Sequence, residues 1–196
     1  ITTANELQNA VGTSGYYALA KPLDMSSISN FMPLAALING FTGIFNGLGN
    51  TISNLTINDS TDSFVGLFSE ISGTVSNLGL VNENVRNFGP SNQNISNPSY
   101  YGYIGGLAGL NNNGTITNSY VTGYITTTNT VQTGLLVGNN NGANNGVISN
   151  SFAEGTIISQ GDHSQVGGLT GLNYGKIYNS YSAGTVSSTG KYSSTG

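Results

Sequence analysis

The 196 residues predict an all-β chain: a right-handed parallel β-helix (β-solenoid) with a short N-terminal capping segment. Three observations carry this. A glycine-rich phrase recurs along the chain. Within each copy the apolar residues alternate or form short runs and never take helical spacing. The polarity is neutral, with 6% charged residues against about 25% in an ordinary globular domain. Its place is taken by 29 Gly, 28 Asn and many Ser and Thr.

The clearest copies are YIGGLAGLNNNGTITNSYVTGYI from Tyr103, TGLLVGNNNGANNGVISNSFAEGTI from Thr133 and VGGLTGLNYGKIYNSYSAGTV from Val166. More divergent copies start at Phe41 (FTGIFNGLGNTISNLTI) and Phe64 (FVGLFSEISGTVSNLGLV). The shared pattern is G-[GL]-L-x-G, an Asn/Gly stretch, then G-x-[IV]-x-N-S-[YF]-x-x-G-x-[IV]. Its Asn recurs as Asn54, Asn77, Asn118, Asn150 and Asn179, at steps of 23, 41, 32 and 29 residues. Three strands of about four to six residues with tight turns consume roughly 20–25 residues, so a three-stranded rung is expected. One rung cannot bury its apolar face alone, whereas stacked rungs share a core.

Strand alternation places Ile116, Asn118 and Tyr120 on one face, with Ile148, Asn150, Phe152 and Ile177, Asn179, Tyr181 as equivalents. At about 4.8 Å per rung, identical amides donate to one neighbour and accept from the other, so the five Asn are expected to form a structural ladder. Tyr120, Phe152 and Tyr181 are expected to stack likewise.

Residues 1–40 differ in kind and read as the cap, a short helix plus a strand, with residues 41–196 forming the rungs. Thr3 fits an N-cap with Glu6 reaching back from N3. Leu7, Ala10 and Val11 make an apolar stripe, and Gly12 suits the helix end. Tyr17–Leu23 alternates as a strand, with Pro22 at its end. The interval 82–101 reads as a long surface loop carrying Arg86, Phe88, Tyr100 and Tyr101. ITTANELQNA lacks the basic and apolar regions of a signal peptide, and SSTGKYSSTG reads as polar linker, so the chain reads as a segment of something longer.

The phrases GGLAGLNNNGTITNSYVTGYI and VGGLTGLNYGKIYNSYSAGTV resemble the GLUG repeat of bacterial surface and secreted proteins. ELQNA, YYALAKPLDM and FTGIFNGLGNTISNLTIND resemble the segment preceding such repeats in filamentous-haemagglutinin-type exoproteins. The resemblance implies an extracellular or cell-surface β-helix serving as stalk and adhesive surface. The motif also occurs in proteins that carry peptidases elsewhere. This chain departs from it at FSEISG and NNNGANNG.

Composition narrows the function classes. Four Lys+Arg against eight Asp+Glu leave no basic patch for nucleic acid or anionic lipid. No apolar run approaches a membrane span, and there is no Cys for a disulfide or thiolate site. No stack of carboxylates recurs at equivalent repeat positions, so a polysaccharide-active enzyme is not expected, nor any cofactor. Asp59 and Asp62 share a turn that reads as turn chemistry before a calcium site. His163 in QGDHSQ reads as a loop residue. The expected role is therefore an adhesin module. Phe88, Tyr100 and Tyr101 are its candidate binding platforms, and host or matrix glycans and proteins its partners. The alternative is a structural subunit that assembles with copies of itself into a filament or surface layer. Ice binding, suggested by Thr126, Thr127, Thr128 and Thr130, is weakened because no T-x-T recurs rung by rung. Asn54, Asn58, Asn94 and Asn113 lie in glycosylation sequons, relevant only if the source modifies them.

Overall fold

The computed structural model describes residues 1–36, 40–60, 64–88, 102–129, 131–141 and 145–196. Helix α1 (Ala4–Ala10) opens the chain, and the Thr3 hydroxyl accepts the Glu6 N–H at 3.1 Å. The Glu6 carboxylate reaches one residue further back than a capping box requires. It accepts from the Thr2 N–H at 2.6 Å and the Thr2 hydroxyl at 2.8 Å. These bonds lower its pKa. The helix ends at an extended Val11, without using Gly12 as a left-handed cap.

Strands follow in chain order. β1 (Tyr16–Ala18) and β2 (Leu23–Asp24) are separate because Ala20-Lys21-Pro22 interrupts the expected single strand. They are already members of the coil's sheets rather than part of the cap alone. β3 (Ile44–Asn46), β4 (Thr51–Ser53) and β5 (Thr56–Asp59) come next. Then the circuit repeats. It runs through β6 (Phe64–Val65), β7 (Phe68–Ile71), β8 (Thr74–Ser76) and β9 (Gly79–Asn87), then β10 (Gly102–Gly105), β11 (Ala108–Asn112), β12 (Thr115–Thr117) and β13 (Tyr120–Thr127). The next circuit is β14 (Val131–Gly134), β15 (Val137–Asn141), β16 (Val147–Ser149) and β17 (Phe152–Ser159). The last strands are β18 (Gln165–Gly167), β19 (Thr170–Asn173), β20 (Lys176–Tyr178), β21 (Tyr181–Ser182), β22 (Thr185–Ser188) and β23 (Ser194–Thr195).

All pairs are parallel, and the strands stack into four sheets of a β-solenoid of about five turns. Sheet 1 is β1-β3-β8-β12-β16-β20; sheet 2 is β2-β4-β9-β13-β17-β21, with β5 and β22 beside it. Sheet 3 is β6-β10-β14-β18-β23 and sheet 4 is β7-β11-β15-β19. A full coil thus has four strands where three were expected. The G-[GL]-L phrase that reads as one run bends in its middle and serves two sheets. Strand β9 also runs on to Asn87, so residues 82–87 are strand rather than loop. Their alternation pairs them with β5 on one side and β13 on the other.

The inward positions build one core. Phe45, Val75, Ile116 and Ile148 supply sheet 1, and Leu80, Val85, Val121, Ile125 and Ile157 supply sheet 2, all fully buried. At the N-terminal end the spacing between sheets is filled by aromatics. The Phe68 ring lies 5.0 Å from Phe41 and 5.5 Å from Phe45, and Leu7 of α1 belongs to the same cluster.

The repeated Asn do not share a face with their neighbours. Asn77, Asn118, Asn150 and Asn179 have φ between 49° and 53°, in the left-handed region that Asn tolerates. They form the corner between sheets 1 and 2, which breaks the alternation: Ile116 is buried, whereas Tyr120 points outward. Stacking does occur. Asn118 donates to the Asn77 carbonyl oxygen at 3.2 Å, Asn77 to Asn46 at 3.1 Å, and Asn179 to Asn150 at 3.3 Å. Asn54 belongs to another column, donating to Asp24 at 2.9 Å and accepting from Asn82 at 2.7 Å. The rings of Tyr120, Phe152 and Tyr181 stack at 4.9 and 5.3 Å. Asn118→Ala loses both the tolerated left-handed backbone and the amide bond, so it costs about 1–2 kcal/mol. Asn118→Gly costs less, because glycine keeps the backbone conformation; urea unfolding of the two variants checks the order.

Candidate functional site

Sheets 3 and 4 meet at two-residue corners, Gly106-Leu107, Leu135-Leu136 and Gly168-Leu169. The glycine of the L-x-G phrase lets the two sheets close up there. A Cβ on Gly109 would lie 2.6 Å from the Tyr103 carbonyl oxygen, and one on Gly138 or Gly171 would strike the backbone amide of Ile104 or Thr133. The corner is re-entrant, so outward side chains of both sheets converge on one groove of about 450 Å³.

Register explains who lines it. Parallel pairing stacks Phe64, Tyr103, Gln132, Gln165 and Ser194 along sheet 3. Leu110, Asn139 and Leu172 stack opposite them along sheet 4. Asn139 Nδ2 donates to Gln132 Oε1 at 2.7 Å, and Gln132 Nε2 donates to Gln165 Oε1 at 2.8 Å. Both donors belong to residues only 6% exposed. The amide relay is polarised: Asn139 Oδ1 is buried with no partner among the described residues, and the far end is the Gln165 Nε2. An unpartnered buried carbonyl oxygen costs about 1–3 kcal/mol.

Aromatic rings frame the relay. The rings of His163 and Tyr192 stack at 5.0 Å, held there by left-handed backbone at both residues and by a His163 N–H to Lys191 carbonyl bond of 2.7 Å. Tyr174 and Tyr192 are 66% and 83% exposed. Tyr103 stacks on Phe64 at 4.9 Å with the planes 2° apart. Burial raises its hydroxyl above the ordinary tyrosine pKa; the Asn139 amide opposes this and Tyr174 adds to it. The groove therefore presents neutral donors, neutral acceptors and flat ring faces.

The sequence-predicted platforms lie elsewhere. Phe88 is half exposed just beyond β9, its N–H donating to the Asp59 carbonyl at 3.0 Å. Tyr100 and Tyr101 lie outside the described residues, as does Asp62. Asp162 accepts the Lys191 N–H at 2.6 Å, so the Asp162-His163 pair helps shape the groove's rim. Among the described residues no three His, Asp or Glu converge as a metal site would need. Sequence reasoning passed over Gln132, Asn139, Gln165 and Tyr174. The aligned copies YIGGLAGL, QTGLLVGN and QVGGLTGL do carry Gln132, Asn139 and Gln165 at their first and eighth positions, and Tyr174 follows two residues after the third copy. Only the re-entrant corner shows that those two positions face each other.

One further ionisable group is buried. Glu83 is 1% exposed, and both carboxyl oxygens lack a partner among the described residues. Asn82, at φ 56°, is the extra residue of a bulge that turns Glu83 inward, opposite Gly123. The carboxyl lies against Gly106, and burial pushes its pKa well above the usual carboxylate range.

Comparison with known proteins adds two findings. The GLUG motif matches residues 100–128 and 162–187, each stretch entering the groove's sheets 3 and 4 and running on into sheet 2. The fold is similar to a 1.30 Å crystal structure of a Bacteroides ovatus protein provisionally named an immunoglobulin A1 protease. The TM-score is 0.52 at 15% identity, covering 96% of this chain and 83% of the other. At that identity the likeness concerns the fold alone. No curated protein matches the sequence.

Proposed function

We propose that this coil is a binding module of an extracellular bacterial adhesin or exoprotein, stiff enough to act as a stalk, that takes neutral saccharides in the groove between sheets 3 and 4. The observation that carries the reading is the polarised Asn139–Gln132–Gln165 relay beside exposed Tyr174 and Tyr192. A pyranose ring offers adjacent hydroxyls, each both donor and acceptor, and apolar C–H faces. The relay supplies amide groups held in a fixed orientation along the groove, and the tyrosines supply the stacking faces. No Asp, Glu, Lys or Arg is among the residues lining the groove, which favours neutral ligands over charged ones. The proposed role is binding without turnover: the described acids Glu6, Asp24, Asp59, Glu70, Glu83 and Glu154 line no part of this groove, and Asp162 at its rim has no second carboxyl beside it in the lining.

The test is a panel of neutral oligosaccharides (cello-, xylo-, malto- and chitohexaose) titrated against the chain by calorimetry. At least one is expected to bind, with Tyr174→Ala and Gln132→Ala each weakening it about tenfold or more while the melting temperature stays within a few degrees. Binding that is indifferent to both variants, or absent across the panel, would overturn the assignment.

A further inference from the structure

A second recess lies on the outer face of sheet 2, three-quarters of a coil away along the chain from sheet 3's strands. Strands β9, β13 and β17 bend where Asn82 is inserted and where Gly123 and Gly155 take φ of 158° and 147°. The bend makes a recess of about 420 Å³. Its walls come from three successive strands held in register: Thr56, Asn84 and Tyr124 form one row, and Asn58, Arg86 and Thr126 the next. Arg86 is the chain's one arginine, and its guanidinium has no hydrogen-bond or ion-pair partner among the described residues. Tyr124 is 59% exposed on the adjoining strand. Diagonal neighbours on adjacent strands stand about 7–8 Å apart, the span of one sugar ring with its exocyclic group.

We propose that this recess binds a carboxylate-bearing saccharide, a uronic-acid unit, with Arg86 on the carboxylate and Tyr124 against the ring. A guanidinium fork matches a carboxylate in two parallel bonds, which gives orientation as well as attraction. The recess is otherwise neutral at its centre. Asn82 donates to Asn54, and Asn54 donates to Asp24, so Asp24 is engaged at the far end of an amide chain. Hydrogen bonds from Asn54 and Ser26 lower the Asp24 pKa, so this carboxylate is already satisfied. Glu83 turns its side chain into the core beneath the same strand, so no carboxylate competes for Arg86 from below. In a chain of net charge −4, an arginine without a partner among the described residues, set in a polar recess, is the position at which an acidic sugar is favoured over a neutral one.

The experiment compares tetragalacturonate with its methyl ester, which keeps every ring and hydroxyl and removes the charge. Calorimetry on the full chain is expected to show the acid binding at least about tenfold more tightly than the ester, with the difference shrinking from 50 to 300 mM salt. Arg86→Gln is expected to abolish the preference and Arg86→Lys to restore part of it, while Tyr124→Ala weakens both ligands. Tyr174→Ala, in the other groove, leaves acid binding unchanged, which separates a failure here from a failure of the neutral groove. Equal affinity for acid and ester, no binding of either, or a preference that survives Arg86→Gln would each overturn the proposal.

Discussion

Phe68→Ala lowers the unfolding free energy by about 3–5 kcal/mol and opens the N-terminal coils first. Phe68 is fully buried, with Phe41 at 5.0 Å and Phe45 at 5.5 Å, and the corresponding positions of later coils hold Ala108, Val137 and Thr170. The cavity would therefore appear where three large rings from two adjacent coils meet, in the cluster that also holds Leu7 of α1. A solenoid is nearly one-dimensional in its energetics, because each coil touches only its neighbours. The loss is thus local: amide exchange in α1, β3 and β8 accelerates strongly, while β13 and β17 stay protected. Equal acceleration along the whole chain would contradict this account.

The second large effect depends on pH and belongs to Glu83. In the unfolded chain this carboxyl ionises near pH 4.3. In the folded chain burial keeps its proton on to well above that value. Between the two, the native state holds a proton that the unfolded state has lost, so stability falls as pH rises, by about 1.4 kcal/mol per unit. The contribution is complete below pH 4 and is lost progressively toward the folded-state value. Glu6 and Asp24 act in the opposite sense, since their lowered values give stability that is lost only on acidification. The fall between pH 5 and pH 8 is therefore assigned to Glu83. Glu83→Gln, which cannot ionise, flattens that slope in urea titrations at the two pH values. Glu83→Met removes the unpaired oxygens at similar length and raises stability at pH 7 by about 2 kcal/mol. A wild-type slope unchanged in Glu83→Gln would refute the assignment.

Much of the coil was legible in the chain itself. The recurring glycine phrase and its period dictate a stacked parallel architecture, because each copy is too short to bury its own apolar face. Inward residues such as Ile116, Ile148 and Val166 follow from alternation within a copy. The Asn recurrence was also readable, though its cause is double. Asn118 and its equivalents tolerate a left-handed corner as well as pairing amides, and the corner defeats any face assignment that runs through it. Asn54 shows the same limit. Its local phrase matches Asn77, yet strand pairing places it against Asp24 and Asn82 instead.

The sequence alone determined a repeating, neutral, all-β coil, since periodicity and charge are properties of residue order. The tertiary structure alone decided what that coil presents to a partner. Gln132 and Asn139 stand seven residues apart and meet only because a re-entrant corner folds sheet 4 back on sheet 3. Arg86 and Tyr124 stand a coil apart and meet only through strand register. Glu83 faces the core only because Asn82 inserts a bulge that shifts the alternation by one. Each depends on which backbone lies beside which, and that is set by pairing across about thirty residues of chain rather than by any local pattern.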